Sequence, residues 1–134
     1  MRLHMRVFST QEATALLPVI RPLIADLIRV RCDLAIGLLE VEAAMHMQAG
    51  QAINTRAATL ANNVRAVQMR IVDLIEKIQS YGCVVKDIDL GLIDFPALRE
   101  DRLVNLCWKI DEQQIDFWHG MDEGFAARKP LNRS

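Results

Sequence analysis

The feature that most constrains this chain is a change of hydrophobic period at Gly82. Before it, apolar residues recur three and four apart; after it, they alternate. A period near 3.6 marks a helix with one buried stripe, and a period of two marks a strand with one buried face. The expected class is therefore α+β: a long antiparallel helical hairpin packed with a small antiparallel β-sheet.

The helical half opens at "RVFSTQEATALLP" with a short strand-like run, Arg6–Phe8. Ser9-Thr10-Gln11-Glu12 then fits a capping box, in which serine and glutamate each satisfy the other's free backbone amide. Pro18 and Pro22 lack an amide donor and crowd the preceding turn, so a short first helix followed by a bent long one is expected. The long helix carries Ile20, Leu23, Leu27, Val30, Leu34, Leu38, Val41 and Met45, flanked by Ile24, Ile28, Ala35 and Leu39. Asn54 or Thr55 is the expected cap of a second helix. Its stripe is Ala57, Leu60, Val64, Val67, Ile71, Leu74 and Ile78, and Gly82 ends it.

Beyond Gly82, Ile93, Phe95 and Ala97 alternate with Asp94 and Pro96, and Val104, Leu106, Trp108 and Ile110 with Asn105, Cys107 and Lys109. A turn at Arg99-Glu100-Asp101-Arg102 pairs Ala97 with Val104, Phe95 with Leu106 and Ile93 with Trp108 on one face. Asp94 then lies opposite Cys107 on the other face, with Asn105 and Lys109 diagonal to it. A one-residue slip would scatter the apolar set across both faces. Pro96 cannot donate to a ladder, which predicts an edge strand.

A length of 134 residues suits one domain over 1–134: 9–82 mostly helical, 83–119 containing the hairpin, 120–134 a C-terminal tail. Hydrophobic residues make up 51% and charged residues 25%, a globular balance rather than a disordered one. Net charge is −1, so no global basic field recruits nucleic acid or an anionic membrane. Within 86–123, however, four basic residues face ten acidic ones, which makes a cation the easier charged guest there. The three cysteines, Cys32, Cys83 and Cys107, form no C-x-x-C pair. They are read as reduced thiols, and with no apolar run of about 20 residues and no signal segment, a cytoplasmic location is expected.

The segments "FSTQEATALLP", "KDIDLGLIDFP", "LCWK", "FWH" and "GFAARKPL" resemble a family of small bacterial proteins catalogued as a domain of unknown function, the DUF2203 type. The matching positions are Glu12, Leu17 and Pro18; Lys86, Asp87, Asp89, Gly91, Leu92, Asp94, Phe95 and Pro96; Leu106, Cys107, Trp108 and Lys109; Trp118 and His119; Gly124, Phe125, Arg128, Pro130 and Leu131. The likeness spans nearly the whole chain and departs at Pro22 and at Glu100-Asp101, which stands where a glycine is expected. It implies the fold and marks positions, and it carries no activity.

Candidate site residues fall in two groups. Lys86, Asp87, Asp89 and Asp94 offer paired charge near one strand, against the plainer reading of aspartates that favour turns. Lys109, diagonal to Asp94, would supply either a salt bridge or a poised acid–base pair. Trp118-His119 is the second group. His119, Asp122 and Glu123 have helix-face spacing, but Gly120 and Gly124 argue against a helix. No organic cofactor is expected; a divalent metal held by His119, Asp89, Asp94 and Asp122 is the alternative arrangement. Cys107 reads as a buried structural thiol, and Arg128, Lys129 and Arg133 as a solvated basic tail. Phosphate-binding loops, G-x-S-x-G and H-E-x-x-H are all missing from the sequence.

The leading expectation is a homodimeric small-ligand-binding module, dimeric through the long helices, whose ligand the sequence does not identify. Lys86, Asp87, Asp89, Asp94, Lys109 and His119 would line its pocket, with Trp108 or Trp118 as a wall. One alternative is a metal-dependent or acid–base, hydrolase-like enzyme using Asp89, Asp94 and His119. Another is a structural domain that binds protein partners through its hairpin.

Overall fold

Ser9 starts the first helix as expected. Its hydroxyl accepts from the Glu12 amide at 3.0 Å while the Glu12 carboxylate accepts from the Ser9 amide at 2.9 Å. A computed structural model describes residues 6–47 and 51–131, with side chains from residue 55 onward in the second stretch. Helix α1 covers Thr10–His46 and α2 Gln51–Gln79; strands β1 Val84–Asp87, β2 Leu92–Arg99, β3 Arg102–Lys109, β4 Phe117–Gly120 and β5 Lys129–Pro130 follow, with a short 3₁₀ turn at Phe125–Ala127. The strands form one antiparallel sheet in the order β1-β2-β3-β4-β5. The class is α+β, with the two helices packed on each other as an antiparallel pair.

The prolines do not divide α1. Pro18 and Pro22 both lie inside a continuous helix of 37 residues. They sit one turn apart on its exposed side, so the carbonyls they leave without donors, at Thr14 and Pro18, face water. Leu17, Ile20 and Ile24, buried in one core on either side of the two prolines, hold the helix together across them. The start of α2 also differs from expectation. The helix begins at Gln51, which places Asn54 and Thr55 within it rather than at its cap. Gly82 ends it with φ +102, and a side chain there would strike the Cβ of Arg6 at 2.7 Å.

In the sheet, Ala97 pairs with Val104, Phe95 with Leu106, Ile93 with Trp108 and Asp94 with Cys107, the expected register. Glu100 and Asp101 turn the hairpin with φ values of 51 and 63, the left-handed pair of a type I′ turn. Pro96 is not on an edge strand, since β2 lies between β1 and β3. It is tolerated because β1 pairs only with Leu92–Asp94. Beyond that point the N-terminal segment takes over, and the Phe8 amide donates to the Pro96 carbonyl at 2.7 Å. This single bond is all that the expected strand at Arg6–Phe8 becomes; no ladder forms there.

Ile93, Phe95, Ala97, Val104, Leu106 and Trp108 pack under Phe8, Ala13, Leu17, Ile20, Ile24, Leu27 and Ile78 in one core. Phe8 meets Phe95 edge to face, with ring centroids 5.3 Å apart. The core that α1 shares with the sheet reaches only as far as Leu27 and Ile28. Further along, Leu34 and Val41 are half-buried against α2, whereas Leu38, Leu39 and Met45 are exposed. The apolar arc of α1 is thus covered by the chain's own sheet in its first half and only in part in its second, where Ala44 is buried but Leu38, Leu39 and Met45 stay exposed.

Candidate functional site

The second face of the sheet is where polar chemistry gathers. Because side chains alternate along a strand, the register that buries Phe95 and Trp108 turns Asp94, Asn105 and Cys107 the other way. His119 on β4 pairs with Asn105 and so joins them. β2 and β4 stand about 9.6 Å apart with β3 between them. The small residues of β3 at that level, Cys107 and Asn105, leave room for carboxylate and imidazole to meet above it. They meet with Nε2 of His119 3.1 Å from Oδ1 of Asp94. Asp94, Cys107 and His119 are 1%, 0% and 2% exposed, burial that charged groups reach only when paired.

Hydrogen-bond polarity limits what this pair can be. Nδ1 of His119 lies 2.8 Å from the Gly120 carbonyl, which can only accept, so Nδ1 carries a hydrogen. Nε2 and Oδ1 can then bond only with a proton between them. Oδ2 of the same carboxylate is buried with no hydrogen-bond partner. Single donor atoms of Asp94, Cys107 and His119 all lie within 4.8 Å of one another. Burial, and then the neighbouring Asp94 carboxylate, push the Cys107 thiol up to about 12; the Arg128 guanidinium beside it pulls the other way. A thiol held neutral this firmly is no nucleophile.

What covers this face is the C-terminal segment. Arg128 donates from Nη1 to both oxygens of Glu112, at 3.0 and 3.1 Å, and its guanidinium lies 4.1 Å from the Phe117 ring and 4.4 Å from the Phe125 ring. Glu112 is fixed in turn, because its carboxylate accepts from the Lys109 amide and its carbonyl from the Trp108 indole and from Arg21. Arg128 is therefore no solvated tail charge: side-chain exposures of 13% for Arg128 and 18% for Glu112 make this a largely buried pair. Arg133 lies outside the described residues. Arg21 and Glu112 carried no signal in the sequence, since each is polar in a stretch read for its apolar neighbours. Arg128 did, within "GFAARKPL".

The expected site residues divide by location. Asp94 and His119 come together. Lys109 shares their face but pairs with Asp111 at 3.8 Å rather than with Asp94. Lys86 is exposed on β1. Asp87 accepts from the Leu90 amide at 3.0 Å, shaping the turn into β2. Asp89 is exposed, 4.0 Å from Arg31. Trp108 is fully buried in the core, not on a pocket wall. Trp118 and Asp122 border a groove beside β4. Of the four residues expected to hold a metal, only His119 and Asp94 belong to the buried group; Cys107 takes the place of Asp89 and Asp122.

That groove lies between the end of the β2–β3 hairpin, β4 and the returning C-terminal segment. It has a volume of ≈ 660 Å³ and is bordered by Arg99, Arg102, Trp118, Gly120, Asp122, Glu123 and Lys129 among others. Arg99 and Lys129 sit over the Trp118 ring at 4.8 and 4.7 Å. Glu123 accepts from Lys129 and from the Gly120 amide, both at 2.7 Å, and these two bonds hold its carboxyl below the usual range. A Cβ at Gly120 would lie 3.0 Å from the Glu123 carboxylate, a tight contact that a small shift of that side chain would relieve. Among the described residues, no helix is long and apolar enough to cross a membrane.

A family model described as "Uncharacterized conserved protein (DUF2203)" matches residues 6–131. No curated protein and no solved structure matches the chain.

Proposed function

The chain belongs to the DUF2203 family of uncharacterised conserved proteins, and since membership names no activity, we propose from geometry that it is a small-ligand-binding module. The groove beside Trp118 is its site. One observation carries this reading: an aromatic wall, flanked by two cations, lines a concavity of ≈ 660 Å³. Ligand pockets span about 300–1,000 Å³ and combine apolar walls with a few placed polar groups. Arg99 and Arg102 beside an indole can take the acid group of a small planar ligand, on a rim where Lys129 is paired with Glu123 and where Glu100 and Asp122 add negative charge. Hydrolysis by Asp94 and His119 is not favoured, because both are shut away from solvent.

The test is an amide and indole NMR titration with small aromatic acids and nucleoside monophosphates. Trp108, buried in the core, provides an internal control. Shifts confined to Trp118 and the groove, lost in Trp118→Ala, support the reading. Fragments that bind elsewhere, or none that bind at millimolar concentration, overturn it.

A second reading concerns self-association. Ile36, Leu38, Leu39 and Met45 on α1 and Met69 and Val72 on α2 are large, apolar and exposed. A second copy covering this open half of the hairpin would form a homodimer through the long helices. Sedimentation at micromolar concentration should then give a dimer that Leu39→Glu splits without unfolding, and a monomeric wild type would remove the reading.

A further inference from the structure

We infer that Asp94, Cys107 and His119 form a binding site for one divalent transition-metal ion of the zinc class. This site is on the sheet face that points away from the helical core, separate from the groove at Trp118, and does not depend on the ligand reading.

Three observations converge. The three donor atoms come from adjacent strands and lie within 4.8 Å of one another. The Asp94 carboxylate, 1% exposed, has an oxygen that no N–H or O–H donor reaches, which leaves it at most the weak Cys107 thiol, a poor match for a buried acceptor that a ligand would improve. Nδ1 of His119 donates to the Gly120 carbonyl, which leaves Nε2 as the lone-pair nitrogen aimed at the cluster. This is the outer hydrogen bond that orients metal-binding histidines.

Charge and donor type select the ion. Asp94 and the Cys107 thiolate together neutralise a divalent cation, so the filled site buries no net charge. Thiolate and imidazole suit zinc and its neighbours, whereas magnesium and calcium take oxygen donors. Tetrahedral bonds of about 2.0–2.3 Å place ligands about 3.5 Å apart. Nε2 and Oδ1 already stand at 3.1 Å, and side-chain rotation would bring the sulfur in. Binding exchanges the ion for the proton between His119 and Asp94 and for the thiol proton. Charge balances before and after, and about two protons leave per ion.

The experiment uses untagged full-length protein, stripped with a chelator and titrated with Co²⁺, then with Zn²⁺ against a chromogenic chelator. One equivalent should bind, with a thiolate-to-cobalt charge-transfer band and release of about two protons. Cys107→Ser should abolish the band, and Asp94→Asn should weaken Zn²⁺ by about tenfold or more, with folding followed by circular dichroism. If either variant fails to fold, the band and stoichiometry of the wild type still decide. No saturable binding by the wild type, binding without the band, or unchanged binding by folded Cys107→Ser and Asp94→Asn would overturn the site. The cluster would then be a structural histidine–carboxylate pair.

Discussion

Nε2 of His119 stands 3.1 Å from Oδ1 of Asp94, with both side chains almost wholly removed from solvent. Removing one member of a buried pair leaves the other desolvated and unmatched. His119→Ala should therefore destabilise chelator-treated protein by about 3–5 kcal/mol. Asp94→Asn should cost clearly less, because its amide can still donate to Nε2. Urea denaturation of the two variants checks the order, and equal costs would refute the pairing described.

Phe95 lies in the centre of the core, fully buried and edge-on to Phe8. Phe95→Ala should lower stability by about 3–5 kcal/mol through lost burial and a residual cavity. Leu98, on the same strand and 61% exposed, serves as the control: Leu98→Ala should change stability by less than about 0.5 kcal/mol.

The hairpin turn holds Glu100 and Asp101 in left-handed conformations that non-glycine residues adopt at a cost of about 1–2 kcal/mol each. Replacing the pair by Asn-Gly should raise the midpoint of thermal unfolding without altering the fold. A decrease would show that the acidic side chains contribute more than their backbone strain removes.

The three thiols should react very unequally. Cys32 is exposed, whereas Cys83 and Cys107 are buried, with burial pushing them up to about 11 and about 12. Native protein at pH 8 should take up one equivalent of iodoacetamide quickly, and unfolded protein three.

The same thiols impose a pH dependence. Their folded values lie above the ordinary 9.0, so the fold keeps these protons longer than the unfolded chain does. Their contribution is complete below pH 9.0 and is lost as pH rises towards about 11 and 12. In chelator-treated protein, replacing Cys83 and Cys107 by Ala should flatten the alkaline loss of stability measured in urea.

Local pattern by itself determined much of this molecule. The capping box at Ser9, the stripe from Ala57 to Ile78, the stop at Gly82 and the register that pairs Phe95 with Leu106 were all legible. Each depends on residues close in sequence or on a period that only one face of an element can satisfy. Tertiary structure decided the rest, because the deciding groups come from distant segments. Pro18 and Pro22 are locally helix-breaking, yet burial of Leu17, Ile20 and Ile24 outweighs them. Pro96 reads as an edge residue until Phe8 supplies the missing neighbour. Lys109 lies on the expected face near Asp94, but His119 crosses β3 to take the carboxylate, leaving Lys109 to Asp111. Cys107 joins that cluster only because alternation points it away from the core, and Arg128 reaches it only because the chain returns across the sheet after Gly120. Periodicity specifies which face a side chain occupies; which partner it meets there depends on how far the strands stand apart and on what the chain lays over them.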